Sequence, residues 1–378
     1  MNSTAEMPQD PTGARRVRYA VVGLGHIAQV AVLPAFKHAA ANSELVALVS
    51  DDAVKRKKLG KKYRVQRVCG YDQYDDLLVS GDIDAVYLAL PNHLHCEFTV
   101  RAAEAGVHVL CEKPMAVTEI ECEKMLAAAA ATRIRLMIAY RLHFEEATLN
   151  AIEQVQSGEL GEPRYFQSSF SMQVQDDNIR VRRETGGGPL YDIGVYCINA
   201  ARSLFRAEPI EVSCFIANNG EDRFAEVEEM ATAVMRFPDQ RLVAFTCSFG
   251  ATDLSSYRVV GTKGDLLMEP AYEYATKLAC QTTVAGKRRK QVFPKRDQFA
   301  PELIYFSKCI QNQRDPEPSG LVGLADVRIV EALLRSATGG MPVALDPVQL
   351  MPYPGLRQEI RRPPIQEPEL VHAESPSQ

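Results

Sequence analysis

The sequence predicts two domains of mixed α/β structure: a doubly wound parallel sheet, followed by an α+β domain with a large, mostly antiparallel open sheet. Short apolar runs alternate with helical segments over residues 16–140, whereas longer strands of alternating polarity follow one another over residues 141–350. A chain of 378 residues is also too long for one ordinary core. We predict a disordered arm at 1–15 and an extended or disordered, proline-rich tail at 351–378.

The first domain is predicted to contain five apolar strands separated by helices. The strands are VRYAVVG, ELVALVS, DAVYLAL, HVLCE and RLMIAY, and the helices include IAQVAVLPAFKHAA, EFTVRAAEAG and EIECEKMLAAAAAT. Strands that are apolar at nearly every position are typical of a parallel sheet with helices on both faces. The carboxyl ends of such strands meet at one edge, where open α/β sheets bind their ligands.

The second domain is predicted to carry helices at 146–157 and 190–205 among its strands. Strand-like runs with turn signals such as Pro-Asp and Lys-Gly between them indicate antiparallel pairing. These runs are PRYFQSSFSMQV, IEVSCFIAN, EEMATAVMRFP, RLVAFTCSFG and SYRVVGT. Two late helices are expected at 299–312 and 320–337, and the basic run KRRK at 287–290 is expected at a solvated hairpin tip.

Composition argues against several classes of function. The net charge of −5 disfavours a nucleic-acid or anionic-membrane partner, and no apolar stretch is long enough to cross a bilayer. Nine cysteines without a C-x-x-C pair disfavour a disulfide framework or a zinc site. We therefore expect no metal and a reducing compartment, the cytoplasm.

A glycine fingerprint follows the first strand. Gly23-x-Gly25-x-x-Ala28 lies directly between that strand and a helix, which is the context in which this motif binds a dinucleotide. Gly23 permits the tight turn, and Gly25 lets backbone amides approach a pyrophosphate. We therefore predict a Rossmann domain whose fingerprint contacts the cofactor through Gly23, Leu24, Gly25, His26 and Ile27.

The residues after the second strand bear on the choice of dinucleotide. An NAD site usually has an acidic residue at the end of that strand, where it holds the ribose diol. Here the position is Ser50, and Lys55 with its basic neighbours can supply charge for the 2′-phosphate of NADP. Asp51 and Asp52 leave the alternative open, since either can bind a ribose. We favour NADP.

Two further motifs carry candidate catalytic residues. Lys113, in CEKP, follows a parallel strand at the ligand-binding edge, where folding does not require a lysine. The stretch GGGPLYDIGVYCIN spaces Asp192 and Tyr196 so that one helix face would present both. The structural alternative is an ordinary helix start, with Pro189 at the first position and Asp192 near the positive end of the helix dipole.

These motifs resemble the Gfo/Idh/MocA family. The fingerprint, LPNHLH, CEKP and GGGPLYDIGVYCIN occur in that order across two such domains, and the resemblance covers nearly the whole chain between arm and tail. Many members carry Asp-x-Gly-x-His-x-x-Asp, where this chain has Tyr196 and Asn199 in place of the histidine and the last acid. That departure is similar to the glucose–fructose oxidoreductase branch, and it disfavours a metal role and an inositol-dehydrogenase-like activity.

The resemblance implies a set of site residues. Tyr196 would exchange the substrate proton, Lys113 would lower the pKa of that phenol and orient it, and Asp192 would bind a substrate hydroxyl. A tyrosine needs such a cation because its pKa is ordinarily about 10. Arg183 or Arg141 would line the substrate pocket beside these three. The other implied cofactor residues are Ser50, Lys55, Tyr71, Leu90, Pro91, Asn92, His95, Glu112, Lys113 and Arg141.

The resemblance also implies a function. We expect an oxidoreductase with tightly bound NADP that oxidises an aldose to its aldonolactone and passes the hydride to a second sugar. The alternatives are a sugar dehydrogenase that releases its cofactor at each turnover, a redox-neutral glycosidase, and a catalytically silent NADP sensor. One face of the open sheet would lack helices, so we expect a homodimer or homotetramer through it, as in the family.

Overall fold

Within the described residues, six parallel strands form the sheet of the first domain. The computed structural model describes residues 15–346 and 353–377. The strands are β1 (Val17–Val22), β2 (Ser43–Val49), β3 (Arg67–Cys69), β4 (Ala85–Leu88), β5 (His108–Glu112) and β6 (Leu136–Ala139). Their order is β3-β2-β1-β4-β5-β6, and every neighbouring pair is parallel. The order reverses between β1 and β4, at the switch point where such sheets bind dinucleotides, and the Rossmann prediction is confirmed.

Helices cover both faces of this sheet. They are α1 (Leu33–Ala39), α2 (Ala53–Tyr63), α3 (Tyr74–Val79), α4 (His95–Glu104) and α5 (Glu119–Thr132), with a π-helical turn at Ala28–Val32 before α1. Alternate residues of β1 enter two separate cores, Ala20 on one side and Tyr19 on the other. Side-chain caps start two of the helices, since Asp52 accepts from backbone amides at the start of α2 and Thr118 does so at the start of α5.

Nine strands of the described residues form the sheet of the second domain. They are β7 (Pro163–Ser171), β8 (Glu211–Ala217), β9 (Met230–Phe237), β10 (Arg241–Ser248), β11 (Leu254–Gly261), β12 (Gly264–Met268), β13 (Leu278–Val284), β14 (Lys287–Phe293) and β15 (Val343–Ala344). The order is β14-β13-β12-β11-β7-β10-β9-β8-β15. β7 and β10 are parallel, and the other neighbours are antiparallel, so the second fold prediction is also confirmed.

The described helices of this domain pack on one face of the sheet. They are α6 (Glu146–Gln156), α7 (Val195–Phe205) and α9 (Gly320–Gly339). In β9, Ala233 and Met235 are buried under them, whereas Thr232 and Val234 point to the other face and are exposed. This alternation leaves the second face of the sheet open.

One helix crosses the predicted domain boundary. α8 (Ala300–Gln311) packs its Leu303 and Phe306 into the core of the first sheet, and its Ser307 lies 2.8 Å from the hydroxyl of Tyr19 in β1. The structure therefore places α8 with the first domain, whereas the sequence analysis assigned it to the second.

The basic run KRRK lies in a strand and not at a hairpin tip. Residues 287–290 begin the edge strand β14, and the turn before it consists of Ala285 and Gly286, both with positive φ. Exposed cations along an edge strand discourage pairing with other chains.

The sequence predicts a disordered arm and an extended or disordered tail. Residues 1–14 of the arm lie outside the described residues, and Arg15 bonds Asp84. The described tail, 353–377, follows an extended path with one short 3₁₀ turn at Leu356–Gln358, and it is bonded to both domains. None of the helices in the described ranges combines the length and apolarity that a bilayer crossing requires.

A buried chain of polar side chains fixes α7. His143 Nε2 donates to Asn199 Oδ1 at 2.7 Å, and Asn199 Nδ2 donates to Asp326 Oδ2 of α9 at 2.9 Å. Arg202 bonds Asp326 as well, and it bonds Glu208 at 2.6 Å. Because all five side chains are almost fully buried, each depends on its partners for compensation of lost hydration.

The charge of His143 follows from this packing. Burial alone would lower its pKa, but the Glu317 carboxylate, 2.8 Å from Nδ1, and the Asn199 oxygen outweigh burial and raise it. The stabilisation from this pairing is therefore present below the unfolded histidine pKa of about 6.5 and is lost as pH rises through the higher folded value.

We predict that Asn199→Asp destabilises the protein. The new carboxylate would replace an amide donor 2.9 Å from Asp326, which should lower the free energy of unfolding by about 3 kcal/mol. Repulsion raises the folded carboxyl pKa, so the loss is largest above that pKa and shrinks as pH falls through it. Urea unfolding at pH 8 and pH 5 measures both effects.

The matched control is the double variant Asn199→Asp/Asp326→Asn. It restores one carboxylate and one amide across the same contact and keeps an oxygen for Arg202. We expect it to recover at least half of the lost stability. Equal stability of the single and double variants would contradict the role given to this contact.

Candidate active site

The fingerprint loop has the shape that a dinucleotide requires. Gly23 has φ of +89°, and a Cβ there would lie 2.4 Å from the carbonyl oxygen of Ala89, so only glycine fits. A Cβ on Gly25 would meet no atom within 4 Å. The space over Gly25 is therefore free for a pyrophosphate to approach the backbone at the switch point of the sheet.

The residues around the end of β2 favour NADP over NAD. Asp51 Oδ1 accepts from the backbone amide of Tyr71 at 2.8 Å, and Asp52 Oδ1 accepts from the amides of Val54 and Lys55. Both aspartates are thus engaged in holding the backbone. Ser50 stands where the ribose-binding acid of an NAD site would be, with the cations of α2 after it.

Lys113 meets Asp192 across the two domains. Lys113 follows β5, and its Nζ donates to Asp192 Oδ1 at 3.0 Å and to the Asp192 carbonyl at 2.8 Å. Asp192 lies in a π-helical turn, Leu190–Gly194, that runs directly into α7. The Nζ atom also lies 4.8 Å from the ring centroid of Tyr196, at the start of α7. The sequence spacing thus brings Asp192 and Tyr196 to the same ammonium.

The hydroxyl of Tyr196 is held by Arg141. Nη2 of Arg141 donates to that oxygen at 3.3 Å, and the guanidinium is itself held by the Tyr272 carbonyl and the Gln298 side chain. We had expected Lys113 to orient the phenol, but Lys113 lies over the ring and Arg141 reaches the oxygen. Two cations therefore flank the phenol, one over its ring and one at its oxygen.

A third cation, Arg180, completes the cluster. Its Nε donates to Asp192 Oδ2 at 2.6 Å, so each carboxylate oxygen of Asp192 has a cationic partner. Burial alone would raise the pKa of Asp192, but Arg180 and Lys113 outweigh it and hold that pKa well below its usual range. Burial would likewise lower the pKa of Lys113, and the attraction of Asp192 and Tyr196 raises it above the usual value. At neutral pH, Lys113 is therefore a cation and Asp192 an anion.

Comparisons with known families agree with this geometry. Residues 17–140 match the oxidoreductase family with an NAD-binding Rossmann fold, and residues 148–267 match the GFO/IDH/MocA C-terminal domain. The chain belongs to the Gfo/Idh/MocA oxidoreductase family. The family inferred from the motifs is thereby confirmed.

Relatives within the Gfo/Idh/MocA family include sugar enzymes. The D-xylose 1-dehydrogenase [NADP(+)] of Haloarcula marismortui is 31% identical, over 87% of this chain and 93% of its own. The crystal structure of the Caulobacter crescentus aldose-aldose oxidoreductase complexed with glycerol superposes with a TM-score of 0.83 at 35% identity, covering 88% of this chain and 100% of that one. KijD10, a 3-ketoreductase of Actinomadura kijaniata in complex with NADP and TDP-benzene, gives 0.77 at 26% identity, covering 85% and 98%. Two of these descriptions name NADP, the cofactor favoured by Ser50.

Most of the predicted cofactor residues lie at the carboxyl edge of the Gfo/Idh/MocA Rossmann sheet. The fingerprint follows β1, Tyr71 follows β3, Leu90 to Asn92 follow β4, and Glu112 ends β5. His95 differs, because it is fully buried, with its ring nitrogens 2.9 Å and 3.0 Å from the carbonyls of Pro114 and Leu90, so it joins the loops after β4 and β5. Arg141 follows β6 and is buried against Tyr196.

The predicted substrate arginine also differs. Arg183 is exposed, and its guanidinium donates to the carbonyl of Glu226 at 2.6 Å and 3.0 Å, away from Asp192. Arg180, which the sequence analysis missed, reaches Asp192 instead. The signal was the run IRVRRE before the glycine loop, but the run alone does not show which of its three arginines turns inward.

No group of three or more metal-ligating side chains is found in residues 15–346 and 353–377.

Proposed function

We propose that this protein is an NADP-dependent sugar oxidoreductase that oxidises an aldose to its aldonolactone and passes the hydride to a second sugar while NADP(H) stays bound. The observation that carries the proposal is the phenol of Tyr196, flanked by Lys113 and Arg141 at the ligand-binding edge of a Rossmann sheet. A hydroxyl-bearing carbon needs a proton acceptor beside a hydride acceptor, and this cluster supplies the first.

The chemistry divides between cofactor and chain. NADP, when bound, supplies the hydride acceptor and later the hydride donor. The phenolic oxygen of Tyr196, as its anion, accepts the proton of the sugar hydroxyl while the C1–H bond breaks and a carbonyl forms. In the return half, Tyr196 gives this proton to the carbonyl oxygen of the second sugar. One proton and one hydride are thus taken and returned, and no other reactant is required.

The charged side chains have separate tasks in this scheme. Arg141 stabilises the phenolate at its oxygen, and Lys113 does so from above the ring. Asp192 holds the Lys113 ammonium in place. Because Asp192 stays ionised to low pH, an acid-side loss of activity would come from another group.

Two kinds of relative support two versions of the reaction. Similarity to an aldose-aldose oxidoreductase favours transfer between two sugars, whereas similarity to an NADP-dependent xylose dehydrogenase favours exchange of the cofactor at each turnover. The second version is the runner-up. The two differ only in how long the dinucleotide stays bound, since the proton-transfer cluster serves both.

We predict that Tyr196→Phe lowers kcat by about 100-fold or more, because the proton loses its acceptor. The matched control is Tyr305→Phe, which removes a hydroxyl that accepts from the amide of Glu317 outside the cluster. Aldoses and ketoses assayed singly and in pairs, with and without added NADP⁺, measure both variants and the wild type. We expect turnover of an aldose pair without added NADP⁺.

Other outcomes of this assay are informative. Turnover only with added NADP⁺ would support the dehydrogenase version. A wild type that converts no sugar, or a Tyr196→Phe variant that keeps most of its kcat, would contradict the proposal. Release of nitrophenol from a nitrophenyl sugar would support a glycosidase instead.

We also propose a homodimer or homotetramer through the open face of the second sheet. Phe215, Val234 and Leu242 are 79%, 45% and 45% exposed on neighbouring strands there, and such an apolar surface is usually covered. Sedimentation at micromolar concentration should show an oligomer, and Phe215→Lys/Leu242→Lys should dissociate it. A monomeric wild type would contradict this proposal.

Location in the cytoplasm stays a prediction.

A further inference from the structure

The end of the chain crosses between the two domains. We call residues 365–377 the C-terminal strap. Ile365 and Val371 are half-buried against the core of the Rossmann domain, and the other strap residues are half-buried or exposed. The strap is therefore held at a few points and lies outside both cores.

The first attachment is to the fingerprint itself. The side chain of Gln29 donates to the carbonyls of Leu24 and Val371, each at 2.9 Å, and accepts from the amide of Val371 at 2.8 Å. Gln29 is only 1% exposed, so its bonds to Leu24 and Val371 lie under the strap. The side-chain amide of Gln29 therefore links the strap to the fingerprint loop, which is the loop expected to contact the pyrophosphate.

The next attachments follow the predicted course of the dinucleotide. Nδ1 of His372 lies 2.9 Å from Asp52 Oδ2, beside the end of β2 where the adenosine half is expected. The backbone of Glu374 lies beside the ring of His26, within the fingerprint. The strap thus passes from the adenosine side towards the pyrophosphate.

The last attachments are to the second domain. The amide of Gln175 donates to the carbonyl of Pro376 at 3.2 Å, and Val174 forms an antiparallel bridge with Ser377. The strap therefore spans the mouth of the cleft between the domains, over the loop where the cofactor has to enter or leave.

We propose that the strap forms the outer wall of the dinucleotide site and retains NADP(H) between the two half-reactions. The proposal rests on the proposed function and explains how the same cluster can serve two sugars in turn. Cofactor release requires the bonds of Gln29, Asp52 and Gln175 to the strap to break together, which slows release without adding any contact to the reacting atoms.

The test compares nucleotide release from the full chain and from a chain that ends at Pro364. NADPH is loaded, excess NADP⁺ is added, and the decay of NADPH fluorescence gives the dissociation rate without any sugar. We expect release to be about 10- to 100-fold faster without the strap, with sugar turnover then dependent on added NADP⁺. A second variant, Ile365→Asp/Val371→Asp, should detach the strap from the Rossmann core in a full-length chain. If the shortened chain does not fold, this variant tests the proposal in its place.

The matched control is Gln366→Ala, at an exposed strap position, which should release NADPH at the wild-type rate. Equal rates in the full chain and both strap variants would overturn the proposal. Tighter binding without the strap would also overturn it, because the strap would then occupy the place of the nucleotide. Strap-dependent release of NADPH from a protein that converts no sugar would support the strap as the outer wall of the dinucleotide site. It would contradict only the proposed function.

Discussion

The contact between Lys113 and Asp192 is the interaction on which the site depends. It joins the carboxyl edge of one domain to the first turns of a helix in the other, with both side chains largely shielded from water. A buried ion pair is costly unless its remaining hydrogen-bonding groups are satisfied. Here the second oxygen of Asp192 binds Arg180, and the ammonium also binds the Asp192 carbonyl. The pair therefore sets the distance between the domains at the reacting centre.

The surroundings of that pair include a tyrosine between two cations. Lys113 and Arg180 bind the carboxylate of Asp192, and Lys113 and Arg141 flank Tyr196. The phenol thus lies between two cations in a place where many family members have histidine. The same helix has Asn199 where they have an acid, and here Asn199 donates to Asp326. Both departures thus fit the electrostatics of this chain, since a second acid would face Asp326.

Local patterns predicted much of the fold and the centre of the site. Apolar strands, the fingerprint and the spacing of Asp192 and Tyr196 are properties of short stretches, and the structure has all of them. The choice of Arg183 over Arg180 went wrong because two successive 3₁₀ turns decide which side chain turns inward. The position of α8 and the contact of Arg141 with the phenol depend on segments more than 50 residues apart. The strap was missed for another reason: its proline-rich composition predicts no core of its own, yet several of its bonds use backbone atoms.

The central claim is that Asp192 acts on the reaction through Lys113. The most direct measurement is kcat/KM for Lys113→Met, Asp192→Asn and the double variant, with an aldose as the varied substrate. The account predicts that Asp192→Asn costs about 100-fold in the wild type but less than about threefold when Lys113 is already replaced, because the two act as one unit. Losses that multiply in the double variant would show that the two residues act independently and would contradict the account.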